Sequence, residues 1–429
     1  MTNKISIWLT VIIVIFACVI TFELTVAFGA IFSSPAAEFY ETTEVTVQTQ
    51  EPAEKPEEKP KTFSEELRDR VLEKAEVVLD IYSKYYVGEI DIDEVAEGAA
   101  EGIVAYMGDK YGDYHGAEEY AEIMEGYSGE FAGIGVSVVL NYDLYAIEIL
   151  QVMNNSPALE AGLQPNDLIV KVGGEDIASI GYNEAINRIR GEIGTAVTLT
   201  IARGDNYSEV FDATITRRKV EEESVTLELI EMDGLFRPVA YVRILDFNEL
   251  SADQFIETLG ECIGEHKIHG FIFDLRNNGG GELSTVVAML DALLPEGPIV
   301  RIRDKEGNER VYNSDKRFVD EPMVVITNGN TASAAELFTA ALRDYGRAIV
   351  VGETTFGKGT VQKIIPISDG SAVRVSTSMY LPPYSENFEG VGVKPDIEVS
   401  LADEYKNVNL FKLPHKEDTQ LQAALNLYK

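Results

Sequence analysis

The hydrophobic rhythm of this 429-residue chain changes several times along its length. It opens on an uncharged apolar run over residues 5–22, broken at Glu23 and followed by a further apolar stretch. About 20 apolar residues cross a bilayer, so residues 1–35 are expected to form a transmembrane signal anchor, with a cleaved signal peptide as the other reading. Lys4 is the only basic flank, and it points the N-terminus to the cytoplasm and the rest of the chain outward. The expected location is a single-pass cell-membrane protein with an extracytoplasmic body, or a secreted form if the leader is removed. Residues 36–62 lose all apolar periodicity and are rich in Pro, Glu and Thr, the composition of a disordered linker.

Helical spacing returns over residues 63–127. Leu67, Val71, Ala75, Val78 and Ile81 fall on one stripe, with Ser64 placed to cap it. A second helix follows in "DIDEVAEGAAEGIVAYMG", where Gly98 and Gly102 would permit close packing. Over 128–218 the pattern turns to alternating or wholly apolar strands: "GIGVSVVL", "YAIEILQVM", "DLIVKVGG" and "AVTLTIAR". A short helix enters through Pro157 and stops at Gly162, and a longer one lies in "GYNEAINRIRG". Five or so strands with two helices predict a small, partly open barrel. From 219 to 400, apolar strands alternate with helices, which predicts an α/β core. A hairpin turns at Gly307, and "GKGTVQKIIPI" and "SAVRVSTSMYLP" return to strand. Residues 401–429 form a tail. The fold class is therefore multidomain α+β.

Composition narrows the function. The 45% hydrophobic content permits sizeable cores. A formal charge of −36, from 72 acidic and 36 basic residues, repels nucleic acid, so no such partner is expected. Of the two cysteines, Cys18 lies in the apolar run and Cys262 far from it, so neither a disulfide framework nor a metal-binding pair is expected. His266 and His269 are the only close histidines, with Glu265 beside them, and they read as a solvated loop rather than a metal site.

Three turns compete for the chemistry. "NNGGG", residues 277–281, lies between a strand and a helix, where negative charge is welcome, but it does not match GxGxxG. "GETTFGKGT", residues 352–360, comes one residue short of a phosphate-binding loop. Gly359 stands where Ser or Thr should meet the metal, and the stretch after Lys358 is strand-patterned, so an NTPase is the weaker alternative. The third is "NTASAAELF". Ser333 with Glu336 reads as a capping box, and a serine at a helix head is equally placed for acyl transfer, since the next N–H can hold an oxyanion. A nucleophilic serine needs a base. No histidine is well placed, but Lys358, flanked by glycines, could serve if burial depresses its pKa. Strand alternation would put Lys358, Thr360 and Gln362 on one face, with Gln362 orienting the amine.

Two resemblances decide between these readings. "GIGVSV" followed by "SPALEAGLQPNDLIVKVGGEDI" is similar to a PDZ domain of the bacterial protease type. It implies peptide binding at Gly133, Ile134, Gly135 and Val136 through a free carboxylate and an added strand. "DLRNNGGG", "NTASAAE", "FGKGTVQ" and "EGVGVKPDI" resemble the C-terminal processing, tail-specific Ser/Lys peptidases. That family implies a ClpP/crotonase-like core with Ser333 as nucleophile, Lys358 as base and Gln362 as third member. It implies Gly281 and the N–H of Ala334 as the oxyanion hole, Asp344 as a further acid, and a coupling role for the PDZ residue Arg190. It also implies protein or peptide substrates with free C-termini, no metal or cofactor, and homodimers or larger rings through terminal helices. Many members carry serine where this chain has Ala335, and "DKYGDYHG" is looser than the family wording. A PDZ-bearing adaptor with an inert core is the alternative from another class.

Overall fold

The computed structural model describes residues 65–429 apart from Asn407. The predicted anchor, linker and Ser64 cap lie outside the described residues. Among those described, no helix is long and apolar enough to cross a membrane. The helix Glu65–Tyr85 carries the predicted stripe, yet it buries none of its residues. It belongs to a unit separate from residues 90–429.

The second unit begins with the helix Ile92–Ala105, capped by Asp91, whose Oδ1 accepts from the N–H groups of Asp93 and Glu94. A Cβ on Gly98 or Gly102 would meet nothing within 4 Å, so these glycines do not serve the close packing expected of them. The helical reading of this region also missed a strand. Asp113–His115 pairs antiparallel with Ala372–Leu381, joining an early segment to a late sheet.

The PDZ region has its strands in the order Val136–Asn141, Ala146–Val152, Leu168–Val172, Ala196–Arg203, Glu209–Thr216. The helix Tyr182–Ile189 buries Ala185 and Ile189 against them. Ile147, Ile149, Ile169, Leu199 and Ile201 form the core between, each shut off from solvent. The sheet does not close into a barrel. The chain enters and leaves this region by a two-stranded ribbon, Glu130–Gly133 against Arg218–Glu221.

The catalytic-type core is a parallel sheet. Val239–Ile244, Gly270–Asp274, Met323–Thr327, Ala348–Gly352 and Ile397–Glu398 run in register, with Val225–Ile230 antiparallel at one edge. Its strands are apolar because both faces are covered. Ser251–Glu261, Leu283–Asp291 and Ala334–Asp344 pack one face, around Phe255, Phe273 and Phe338. The C-terminal helix Thr419–Asn426 covers the other with Leu421, Ala424 and Leu425. The tail thus buries these three residues within the chain, while Val408, Phe411 and Leu427 stay exposed.

The two late strands do not extend this sheet. Thr360–Pro366 pairs with Ala372–Leu381, which pairs with the predicted hairpin strand Gly297–Asp304 in a second, antiparallel sheet. Gly307 turns that hairpin with φ 87°. Of the cysteines, Cys262 is free and buried, and burial pushes its thiol up to about 11. His266 meets Glu261 at 2.9 Å and His269 stacks edge-on with Tyr428. No cluster suited to a metal occurs among the described residues.

Candidate active site

The parallel strands deliver their loops to one end, the usual position for a site in such sheets. After Met323–Thr327 the chain turns through Thr331, whose hydroxyl donates to Leu275 O at 2.8 Å, and enters the helix at Ala334. Ser333 sits between, at φ 56° and ψ −117°. A residue with a Cβ pays about 1–3 kcal/mol for such a conformation, and it persists only where the surroundings enforce it. Here they do. Ala334 and Ala335 are fully buried and leave no room to rotate the turn. Ala332 N–H donates to Asn278 O at 2.9 Å, tying the turn to the glycine loop.

Glu336 is the hub. Its carboxylate is fully buried. Oε2 accepts from the N–H of Ser333 at 2.9 Å and from the N–H of Lys358 at 2.7 Å. Oε1 accepts from Gly357 N–H at 2.7 Å and from the Thr355 hydroxyl. The acid of the capping box therefore does more than close a helix. One oxygen atom holds the backbone of Ser333 and of Lys358 together. Burial pushes the Glu336 carboxyl up, against the downward pull of these four donors.

Lys358 is half-buried, and burial holds its amine below the ordinary lysine range. The Arg374 guanidinium adds to this, while Glu389 and Glu336 oppose it. The Lys358 and Ser333 side chains do not hydrogen-bond to each other here. The Ser333 hydroxyl faces the buried phenol of Tyr380, and Lys358 Nζ lies 5.2 Å from the ring centre of Tyr111. Catalytic hydrogen bonds are often unmade in apo enzymes and tighten with substrate.

Gln362 departs from its expected contact. Its amide N–H donates to Thr360 Oγ1 at 2.7 Å and Thr360 O at 3.0 Å, and its oxygen does not accept from the lysine amine. The alternation itself holds, since the register shift at this point leaves the extra residue, Thr377, in the partner strand, and Gln362 turns to Thr360, its neighbour on the same face. Lys358 itself precedes the strand, which starts at Thr360.

The N–H groups of Gly281 and Ala334 donate to no partner among the described residues. Gly281 is at φ 141°, and a Cβ there would lie 2.5 Å from Phe247 O. Gly280 is the glycine pressed on the Ser333 turn. At φ 107°, its Cβ would fall 2.8 Å from Ser333 Cβ and 3.0 Å from Ala334 N. Asp344 ends the Ser333 helix and accepts from the N–H groups of Tyr384 and Ser385, both at 2.8 Å. The phosphate-loop alternative loses its nest: the N–H groups of Gly357, Lys358 and Gly359 all go to carboxylates, and no helix follows.

Gly133, Ile134, Gly135 and Val136 line a groove of about 300 Å³ together with Ile186 and Arg190 of the Tyr182–Ile189 helix and its cap. Arg190 also lies in Coulomb range of Glu222, whose Oε2 accepts from Asn248 Nδ2 at 3.3 Å. The neighbouring Phe247 brackets the glycine loop, donating to Gly280 O at 3.1 Å and accepting from Glu282 N–H at 2.8 Å. Sequence reasoning missed Tyr111, Tyr380 and Asp246. They lie in strand ends and turns without periodic signal, and the loose wording of "DKYGDYHG" is the one local sign of any of them.

A helix-head serine whose N–H shares one buried carboxylate oxygen with a lysine loop, on a parallel sheet, fits a serine peptidase. Residues 238–399 match peptidase family S41, residues 148–203 a PDZ domain, and residues 29–119 the N-terminal domain of the activating protease CtpB. A carboxy-terminal-processing protease of Bartonella bacilliformis is 32% identical over 334 residues, 76% of this chain and 74% of that one. The carboxy-terminal processing protease CtpB of Bacillus subtilis is 31% identical over 338 residues, 78% and 69% of the two chains. A Bacteroides fragilis structure assigned to the S41 proteases superposes with a TM-score of 0.55 at 19% identity, covering 80% of this chain and 92% of that one, and so shares the fold. The chain belongs to peptidase family S41, as a C-terminal processing serine protease carrying a PDZ domain.

Proposed function

We propose that this protease cuts unstructured polypeptides with Ser333 as nucleophile and Lys358 as general base, after its PDZ region has captured the substrate's C-terminal carboxylate. The observation that carries the reading is the single Glu336 oxygen that binds the N–H of both residues. Neutral Lys358 takes the Ser333 proton as the oxygen attacks the scissile carbonyl. The resulting oxyanion accepts from the N–H groups of Ala334 and Gly281, which are worth several kcal/mol when preorganised. Lys358 then gives its proton to the leaving amine, and water attacks the acyl-enzyme by the same route. Gln362 takes its place as third member only if its amide swings from Thr360 to the lysine during turnover.

The coupling role of Arg190 is supported by its chain of neighbours, through Glu222 and Asn248 to the Phe247 segment against the glycine loop. The membrane anchor and outward-facing body rest on the apolar run and Lys4. A homodimer is supported by the helix Glu65–Tyr85, whose apolar stripe is exposed at Leu67, Val71, Val78 and Ile81. Purified full-length chain should degrade an unfolded protein, whereas Ser333→Ala and Lys358→Ala should each lose at least about 100-fold in rate while still binding a C-terminal peptide. Equal cleavage by Ser333→Ala would remove the catalytic assignment, and peptide binding without any cleavage by the wild type would leave the PDZ-adaptor reading.

A further inference from the structure

The segment "DKYGDYHG" finds a use next to the lysine. Tyr111 belongs to the turn after the Ile92–Ala105 helix, far in sequence from the lysine loop, yet its ring and hydroxyl reach that loop and its carbonyl reaches the strand Ala372–Leu381. Its ring centre lies 5.2 Å from Lys358 Nζ. Its hydroxyl donates to Glu389 Oε1 at 2.9 Å, and Glu389 Oε2 in turn accepts from Gly359 N–H at 2.7 Å. Its carbonyl accepts from Arg374 Nε at 3.2 Å. Lys110 holds the outer side, with Nζ donating to the Tyr111 hydroxyl at 2.8 Å.

We propose that Tyr111 is a positioning residue for the Lys358 base, its ring covering the amine against water and its hydroxyl, through Glu389, fixing the Gly359 end of the lysine loop. Glu336 holds the Gly357 and Lys358 end of that loop, so the two carboxylates together take three consecutive N–H groups. The base is thereby gripped by its backbone, and Tyr111 supplies the only aromatic face within reach of its amine among the described residues. The charged groups facing the amine are Arg374, Glu389 and Glu336, with Lys110 behind the ring. Exclusion of water disfavours the ammonium and keeps the lysine available as a base. The ring face also attracts an ammonium, so cover and attraction act in opposite directions and can be separated.

The inference rests on Lys358 being the base, and the pH dependence of kcat/KM for the full-length chain tests it. The carbonyl bond to Arg374 is main-chain and survives every side-chain variant. Tyr111→Ala should move the acidic limb upward by about one pH unit, equal to about a tenfold loss of neutral amine near pH 7. Tyr111→Phe keeps the cover, so its limb should stay in place while kcat falls a few-fold through the lost grip of Glu389. Tyr111→Val uncovers the amine with less loss of packing, and must move the limb in the same direction should the alanine variant fail to fold. An unmoved limb in the uncovered variants, or one moved downward, overturns the covering role. A Tyr111→Phe enzyme with unchanged kcat overturns the tether. A failure of the base assignment is distinguishable, since Lys358→Ala would then remain active whatever Tyr111 does.

Discussion

At the scale of single residues, the site is an exercise in burying charge with partners. Glu336 succeeds because four donors surround it. Asp246 has less help: burial pushes its carboxyl up to about 6, the Phe247 N–H pulls it back, and Glu222 adds to the rise. The folded chain therefore binds this proton more readily than the unfolded chain, whose aspartate keeps its ordinary value. Above pH 6 the Asp246 carboxylate costs stability, and the cost is relieved as pH falls through 6 towards the usual aspartate range. Asp246→Asn should accordingly raise the thermal midpoint at pH 7.5, with the gain gone by about pH 4. Paired melting curves at the two pH values check this, and an equal gain at both would contradict it.

At the scale of elements, the Ser333 turn and the glycine loop behave as one piece. Gly280 is packed so closely on Ser333 and the Ala332 carbonyl that a methyl group cannot enter. Gly280→Ala should lower kcat by about 100-fold with little change in peptide binding at the PDZ groove, measured by fluorescence titration. Wild-type kcat in that variant would mean that the turn yields. Most elements were legible in the sequence because hydrophobic period reports burial directly: the apolar "FIF" and "MVVI" stretches lie in central parallel strands. Ser333, Lys358 and Glu336 were legible because their motifs are local. The Gln362 contact was not, because Lys358 precedes the strand and strand alternation does not fix where its amine goes. The strand Asp113–His115 was not either, since its partner lies at Ala372–Leu381 and no local signal reports pairing across that distance.

For the whole molecule, the C-terminal helix is tied to the active-site loop through a buried charge network. Arg276, fully buried at the start of the glycine loop, pairs with Asp274 at 2.6 Å and with Asp418 at 2.8 Å, just before the Thr419–Asn426 helix. Its Nη1 also donates to Gln420 Oε1 at 3.0 Å. Removing Asp418 takes two charge-assisted hydrogen bonds from Arg276 while Asp274 still pairs it, which costs about 1.5–3 kcal/mol. Asp418→Ala should lower the urea midpoint of residues 90–429 and, because Arg276 leads into the loop at 277–281, reduce kcat as well. A variant with a lower midpoint but full kcat would confine Asp418 to stability.

The ribbon Glu130–Gly133 with Arg218–Glu221 closes at its base by the Glu222 N–H on Gly129 O, 2.7 Å apart. From the standpoint of the peptidase core, the whole PDZ region is an excursion whose two ends already touch. The entropy of bringing those ends together is met within the ribbon itself, so the core does not sense how long the excursion is. Such a junction is a natural graft point: one recognition module could be exchanged for another without re-registering a single strand of the sheet that carries Ser333.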